Sequence, residues 1–262
     1  MYILISTIIY LICTIFSIFI IFIIYYLLKY SETIWSKDDS YFIKYCGFII
    51  NNKLINSINY IIKYFGLINI IMNNEANKRL IIQKNTKILP NSICFIGDSE
   101  FTTWFNLEKD ITHFKYTSFN AGFGGARSID ILKHLHNLCL QWNPMCVILH
   151  IGGNDYDYNT HFNINSLIDK VLFNITLINY ILKQKNIKLY ILLSPSRPIY
   201  SYNKILYFNK LHNQISKLYN IIDIRHIKHT KNHYRIDNLH LNHIGHKYKS
   251  NFILQILNNI EI

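Results

Sequence analysis

Apolar and polar positions divide this chain into two unlike parts. From Leu89 onward, short apolar runs alternate with longer segments whose apolar residues recur at helical spacing. The runs at 93–96, 114–119, 146–151, 188–193 and 221–224 predict five strands. Segments 128–141, 164–184, 202–218 and 241–257 predict helices between and after them. Strand-helix alternation of this kind predicts an α/β domain with a parallel sheet covered by helices on both faces. Ligands of such sheets bind outside the carboxyl ends of the strands.

The part before Leu89 reads differently. Residues 2–28 hold no charged side chain. As a helix rising ~1.5 Å per residue, the run outspans the ~30 Å hydrocarbon core of a bilayer. It lacks the basic flank and small-residue cleavage site of a signal peptide. A single-pass transmembrane anchor over 1–28 is therefore expected. Lys29 and Lys37 follow the run and no basic residue precedes it, which favours a cytoplasmic side for what comes after. Within 41–72, Ile55, Ile58, Ile61 and Ile62 recur at helical spacing, which suits an interfacial helix or one packed on the following domain. Lys53 and its Asn neighbours argue against a second span. Residues 73–85 are mostly polar and read as a linker. The expected division is anchor 1–28, juxtamembrane amphipathic and linker region 29–88, and catalytic domain 89–262.

Composition adds little to this division. The formal charge is +12, with Lys and Arg scattered rather than massed. A spread excess suits an anionic membrane surface as well as nucleic acid, and no nucleic-acid motif accompanies it, so no nucleic-acid partner is expected. Five cysteines, an odd count without CxxC spacing, argue against a disulfide framework or a zinc site. Asn174-Ile175-Thr176 is a formal glycosylation sequon of the kind an Asn-rich chain produces by chance.

Chemistry-bearing residues cluster after the predicted strands. Gly97-Asp98-Ser99 ends the first strand and opens a helical segment, so the Ser99 N–H stands at a helix N-terminus that favours negative charge. The glycine-rich stretch 120–127 follows the second strand, and Gly152-Gly153-Asn154-Asp155 follows the third. After the fifth come Asp237 and His240, three apart, so one turn brings carboxylate to imidazole. Neither the G-x-S-x-G elbow nor a phosphate loop is present. Each piece alone is common; four in order, each after a different strand, are not.

From Ile93 to about Leu257 the chain resembles the SGNH, or GDSL, hydrolases. Gly97-Asp98-Ser99 matches block I of that family, Asn120 to Gly125 block II, Gly152 to Asn154 block III, and Asp237 to His240 block V; Trp104 and the run His240 to Gly245 also look familial. The resemblance implies a three-layer α/β/α flavodoxin-like fold with a roughly five-stranded parallel sheet. It implies a serine esterase or acylhydrolase, needing neither cofactor nor metal, that cleaves carboxylic esters of lipids or acylated glycans. Ser99 would be the nucleophile, His240 the base and Asp237 its orienting acid. The Ser99 and Gly125 N–H groups and the Asn154 amide would form the oxyanion hole, with Gly124 as the rival donor to Gly125. Asp98, Gly124, Arg127, Gly153 and Asp155 would line the pocket. An O-acyltransferase using the same acyl-enzyme, and a catalytically silent membrane scaffold, are the other readings.

The chain departs from the family at Glu100, where an uncharged residue is usual. An acid in a first helical turn suits the helix dipole, so Glu100 is read as a capping residue rather than one facing the pocket. Arg127 is expected to pair with Asp130 or Asp155. His226, His229 and His233 are read as structural or solvated rather than metal ligands.

Overall fold

The computed structural model describes residues 67–112, 116–159 and 163–260. The expected anchor at 1–28 and most of the 29–88 region lie outside these residues. Among the described residues, no helix is long and apolar enough to cross a membrane.

Five parallel strands form one sheet: β1 (Ile93–Gly97), β2 (Ser118–Asn120), β3 (Cys146–His150), β4 (Lys188–Leu193) and β5 (Asn220–Asp223). Their order is β2-β1-β3-β4-β5. All five carboxyl ends therefore lie at one edge, and the chain reverses its direction of travel across the sheet between β1 and β3. That switch point is where a crevice opens in such a fold.

Both faces of the sheet are buried, which explains why the strands read as nearly unbroken apolar runs. Period-two alternation sorts the side chains. Cys94, Ile96, Val147, Leu149, Ile191 and Leu193 face one layer. Ile93, Phe95, Cys146, Ile148, Tyr190 and Leu192 face the other. Packed in the first layer are α1 (Leu67–Lys84), α4 (Ser128–Leu138), α6 (Ile164–Lys183) and α7 (Tyr202–Leu218). The second layer holds the one-turn helices α2 (Ser99–Thr102) and α3 (Leu107–Asp110) together with α8 (His243–Asn258). A further short helix, α5 (Gly153–Asp157), follows β3.

The elements follow the expected order, with two departures. Strand β2 occupies only Ser118–Asn120, later and shorter than the apolar run 114–119 suggests. The polar stretch 73–85 is not a linker but most of helix α1. Its polarity misleads because only one narrow stripe is buried: Met72 and Ala76 lie in the interior while Ile70, Ile81 and Ile82 face outward. Buried polar groups do much of its docking. Gln83 Nε2 donates to the carbonyls of Leu138 (2.9 Å) and Asn120 (3.3 Å).

Candidate active site

The site is built on the carboxyl ends of β1, β2 and β3 and on the long segment after β5. Gly97 closes β1 where no side chain fits: a Cβ there would stand 2.5 Å from the His150 carbonyl oxygen of the neighbouring strand. Asp98 then caps α2, its Oδ1 accepting the Glu100 N–H at 2.9 Å. Ser99 becomes the first residue of that helix. Asp98 is buried and also meets His150 Nδ1 at 3.0 Å. Its carboxylate is thus spent on holding the turn that presents Ser99, rather than on lining a pocket. His150, at the end of β3, is a residue that sequence reasoning missed; a lone histidine closing an apolar strand carries no signal of a partner 52 positions away.

Glu100 does not cap the helix. It is buried, and its carboxylate meets Arg197 on one side and Lys249 Nζ on the other, the latter at 2.6 Å. Burial opposes the charge, but Arg197 and then Lys249 outweigh it and hold the carboxyl well below its ordinary 4.5. The dipole argument failed because Asp98 already fills the capping role two positions earlier. Glu100 thus faces the interior, away from both roles considered for it.

Block II crosses over α2. Asn120 Oδ1 accepts the Gly122 N–H (2.9 Å), and Asn120 Nδ2 donates to the Phe101 carbonyl (2.8 Å). The Phe123 N–H donates to the Gly97 carbonyl at 3.0 Å. Gly125 follows with φ of +75°, a conformation that costs little only for glycine. Among the described residues, neither the Ser99 N–H nor the Gly125 N–H donates to a protein acceptor, and the same holds for Gly124. Asn154, in the first turn of α5, sends Nδ2 to the Ala126 carbonyl at 3.0 Å, which ties block III to block II.

Arg127 pairs with Asp130, Nε to Oδ2 at 2.6 Å, closing the first turn of α4. Asp155 instead accepts the Ser128 N–H (2.9 Å) and hydroxyl (2.6 Å). Burial raises its carboxyl to about 6 in spite of those bonds. Arg127 and Asp155 line a cavity of about 650 Å³ shared with Ser166, Lys170 and Phe173. Asn174 of the sequon is buried and donates to the Ser128 hydroxyl at 2.8 Å, so it is not a glycan acceptor in this fold.

The segment after β5 folds back as a closed loop. Arg235 N–H donates to the His240 carbonyl at 2.8 Å, and Tyr234 bridges Leu241. Asn238, at φ of +53°, makes the turn. Inside it Asp237 Oδ1 accepts the N–H groups of Leu239 and His240, each at 2.9 Å. Its Oδ2 meets His240 Nδ1 at 2.6 Å. Burial would raise the Asp237 carboxyl, but the bonds from His240 leave it lowered. The loop is anchored by Asn242, which caps α8 through the Gly245 N–H (3.0 Å) and donates to the Asn232 carbonyl (2.7 Å). A Cβ at Gly245 would stand 2.3 Å from the His233 carbonyl oxygen, which explains the glycine five residues after His240.

Helix α8 packs against the segment that begins with Ser99, and the loop meets that segment further on, at Phe105. Thr103 Oγ1 meets His246 Nε2 at 3.2 Å and donates to the Ser99 carbonyl at 2.8 Å. Arg235 lies 5.5 Å from the Phe105 ring centre. His246 stacks on Trp104 at 5.3 Å, and its burial keeps it neutral well below 6.5. His229 and His233 pack edge-on against each other at 5.4 Å, and His226 packs against Phe252. Among the described residues, no group of three or more His, Cys, Asp or Glu side chains stands where it could hold a metal ion.

No protein-family model matches the sequence, and no curated protein matches it. Solved structures do. One from Streptococcus pneumonia, named for platelet activating factor, is 19% identical with a TM-score of 0.58, covering 74% of this chain and 98% of that one. The lipase/acylhydrolase of Enterococcus faecalis is 20% identical with a TM-score of 0.51, covering 64% and 96%. A GDSL-like lipase of Bacteroides thetaiotaomicron is 14% identical with a TM-score of 0.51, covering 69% and 95%. At such identities the likeness establishes the fold, a five-stranded parallel α/β sheet shared with these proteins.

Proposed function

We propose that this chain is a serine hydrolase of the SGNH type that cleaves carboxylic esters through an acyl-enzyme. One observation carries the reading: the Asp237–His240 pair, at 2.6 Å, stands on the loop that leads into α8, and α8 meets the segment opened by Ser99 through Lys249–Glu100 and His246–Thr103. With Nδ1 engaged by Asp237, Nε2 is the ring nitrogen that carries the proton in this reading. Ser99 Oγ attacks the ester carbonyl as its proton passes to His240. The tetrahedral oxygen takes hydrogen bonds from the N–H groups of Ser99 and Gly125 and from the Asn154 amide. His240 returns the proton to the departing alcohol, leaving the acyl group on Ser99. Water, deprotonated by His240, then attacks the acyl carbon, and the bond to Ser99 Oγ breaks as His240 returns the proton to that oxygen and the acid leaves. Asp237 keeps its charge throughout and stabilises the imidazolium.

The fold shared with the Enterococcus faecalis lipase/acylhydrolase supports ester chemistry for this site. The uncharged run 2–28 supports a membrane-tethered enzyme acting on lipid or surface-glycan esters. Fluorophosphonate labelling tests the assignment directly. The adduct is expected on Ser99 by peptide mass spectrometry. Ser99→Ala is expected to abolish both labelling and p-nitrophenyl ester hydrolysis. Hydrolysis undiminished by that substitution would overturn it.

A further inference from the structure

Helix α1 precedes every block of the proposed hydrolase site, yet it touches the oxyanion loop at three points. Arg79 Nε donates to the Gly122 carbonyl at 2.7 Å, across 43 positions. Met72, buried, has its Cε 3.0 Å from where a Cβ on Gly125 would stand. Asn69 accepts a bond from Arg127 Nη2 at 3.2 Å, just past the same loop.

Gly122 is the tightest point of that loop. A Cβ there would lie 2.5 Å from Phe101 Cβ and 3.0 Å from the Thr102 nitrogen, so the backbone is pressed onto α2. Its N–H is consumed by Asn120, and its buried carbonyl points the other way, to Arg79. A buried carbonyl without a donor is costly, and a bond from a charged guanidinium is among the stronger ways to satisfy one. Burial depresses the Arg79 pKa, and Glu108 and Glu75 partly restore it, so the donor stays charged. Glu108 itself accepts the Asn120 N–H at 3.0 Å. The loop is thus held at Asn120 from the α3 side and at Gly122 from the α1 side. The Gly122 carbonyl shares one planar peptide with the Phe123 N–H, which donates to the Gly97 carbonyl at 3.0 Å, so Arg79 and Gly97 together fix that plane directly ahead of the peptides that carry the Gly124 and Gly125 N–H groups.

We propose that Arg79 is a positioning residue: through the Gly122 carbonyl it sets the direction of the oxyanion-loop N–H groups, making α1 a working part of the site. The inference rests on the hydrolase reading for its kinetic consequence, and on the loop geometry alone for its structural one. Arg79→Met, Arg79→Lys and Asn73→Ala are compared in the full chain in detergent micelles. Asn73 serves as the control, because it joins α1 to Lys133 and His134 away from the loop. Arg79→Met is expected to lower kcat for a soluble p-nitrophenyl ester by about tenfold to a hundredfold, part of the loss seen when one oxyanion donor is removed outright. KM is expected to stay within about twofold, since the donors act on charge that develops in the transition state. Amide hydrogen exchange over 121–126 is expected to quicken. Arg79→Lys is expected to recover part of both effects, and Asn73→Ala to change neither. Wild-type kcat in Arg79→Met, or unchanged exchange over the loop, overturns the proposal. A wild-type chain that neither labels nor hydrolyses would instead sink the hydrolase reading, and the exchange measurement would still decide whether Arg79 holds the loop.

Discussion

Replacing Glu100 by glutamine preserves the side chain's shape and removes one buried negative charge. Two cations depend on that charge. Arg197 is 5% exposed and Lys249 fully buried, and Glu100 is the only acid in a direct ion pair with either among the described residues, with Asp98 acting on Lys249 from further away. Breaking a buried pair by deleting one member typically costs ~3–5 kcal/mol, because the remaining charge is left desolvated. Here two charges are left, so the upper part of that range is expected, moderated by Lys249 lying 4.3 Å from the Trp104 ring. Against a total stability of ~5–15 kcal/mol, that is a large fraction. Urea unfolding of the full chain, followed by near-ultraviolet circular dichroism, gives the difference. The pH dependence supplies an independent check. Glu100 has its folded pKa held well below 4.5, so it contributes stability that is present above the unfolded value and lost as pH falls toward the folded one. The gap between wild type and Glu100→Gln should therefore hold from pH 8 to about 5 and narrow only in stronger acid. Triple replacement of Glu100, Arg197 and Lys249 by methionine should recover most of the loss. A loss below about 1 kcal/mol in Glu100→Gln, or a gap that closes at neutral pH, would refute the reasoning, since neither outcome is compatible with two desolvated cations.

Three other outcomes are expected. Asp237→Asn keeps the acceptor for the Leu239 and His240 N–H groups but not the charge beside the imidazole, so kcat should fall by ~10³–10⁴ while the melting temperature hardly moves; a loss under tenfold counts against the triad. Gly97→Ala places a Cβ 2.5 Å from a backbone oxygen of β3 and should cost ~1–3 kcal/mol by urea unfolding, with activity falling alongside because Ser99 is two residues on. Asp155 has its carboxyl raised by burial from 3.8 to about 6, so the stability it contributes is fully present below about 4 and lost as pH rises through 6. Asp155→Asn should flatten that part of the stability profile, about 3 kcal/mol at most, and identical wild-type and variant slopes between pH 4 and 7 would exclude it.

Local order was legible in the residues. Alternating runs predicted the strands because a strand buried on both faces is apolar throughout, and 3.6-residue spacing marked the long helices. The Asp237–His240 pair was readable for the same reason: partners three positions apart meet through one turn, whatever the rest of the chain does. Arg127 found Asp130 by that rule as well. Pairings between distant segments were not readable. Arg197 and Lys249 lie 97 and 149 positions from Glu100, His150 lies 52 from Asp98, and Arg79 lies 43 from Gly122. Strand order, register and helix docking decide such partners, and none of the three leaves a periodic trace. The sequence by itself determined the order of the elements and the four loops that hold the candidate site residues. Only the tertiary structure decided that Glu100 turns inward, that Asp98 holds the turn at Ser99, and that the polar stretch before Leu89 is a helix laid against the glycine-rich loop after β2. The physical reason is the same throughout: a buried polar group is satisfied by whatever donor or acceptor the packing brings to it, and the packing is a property of the whole fold.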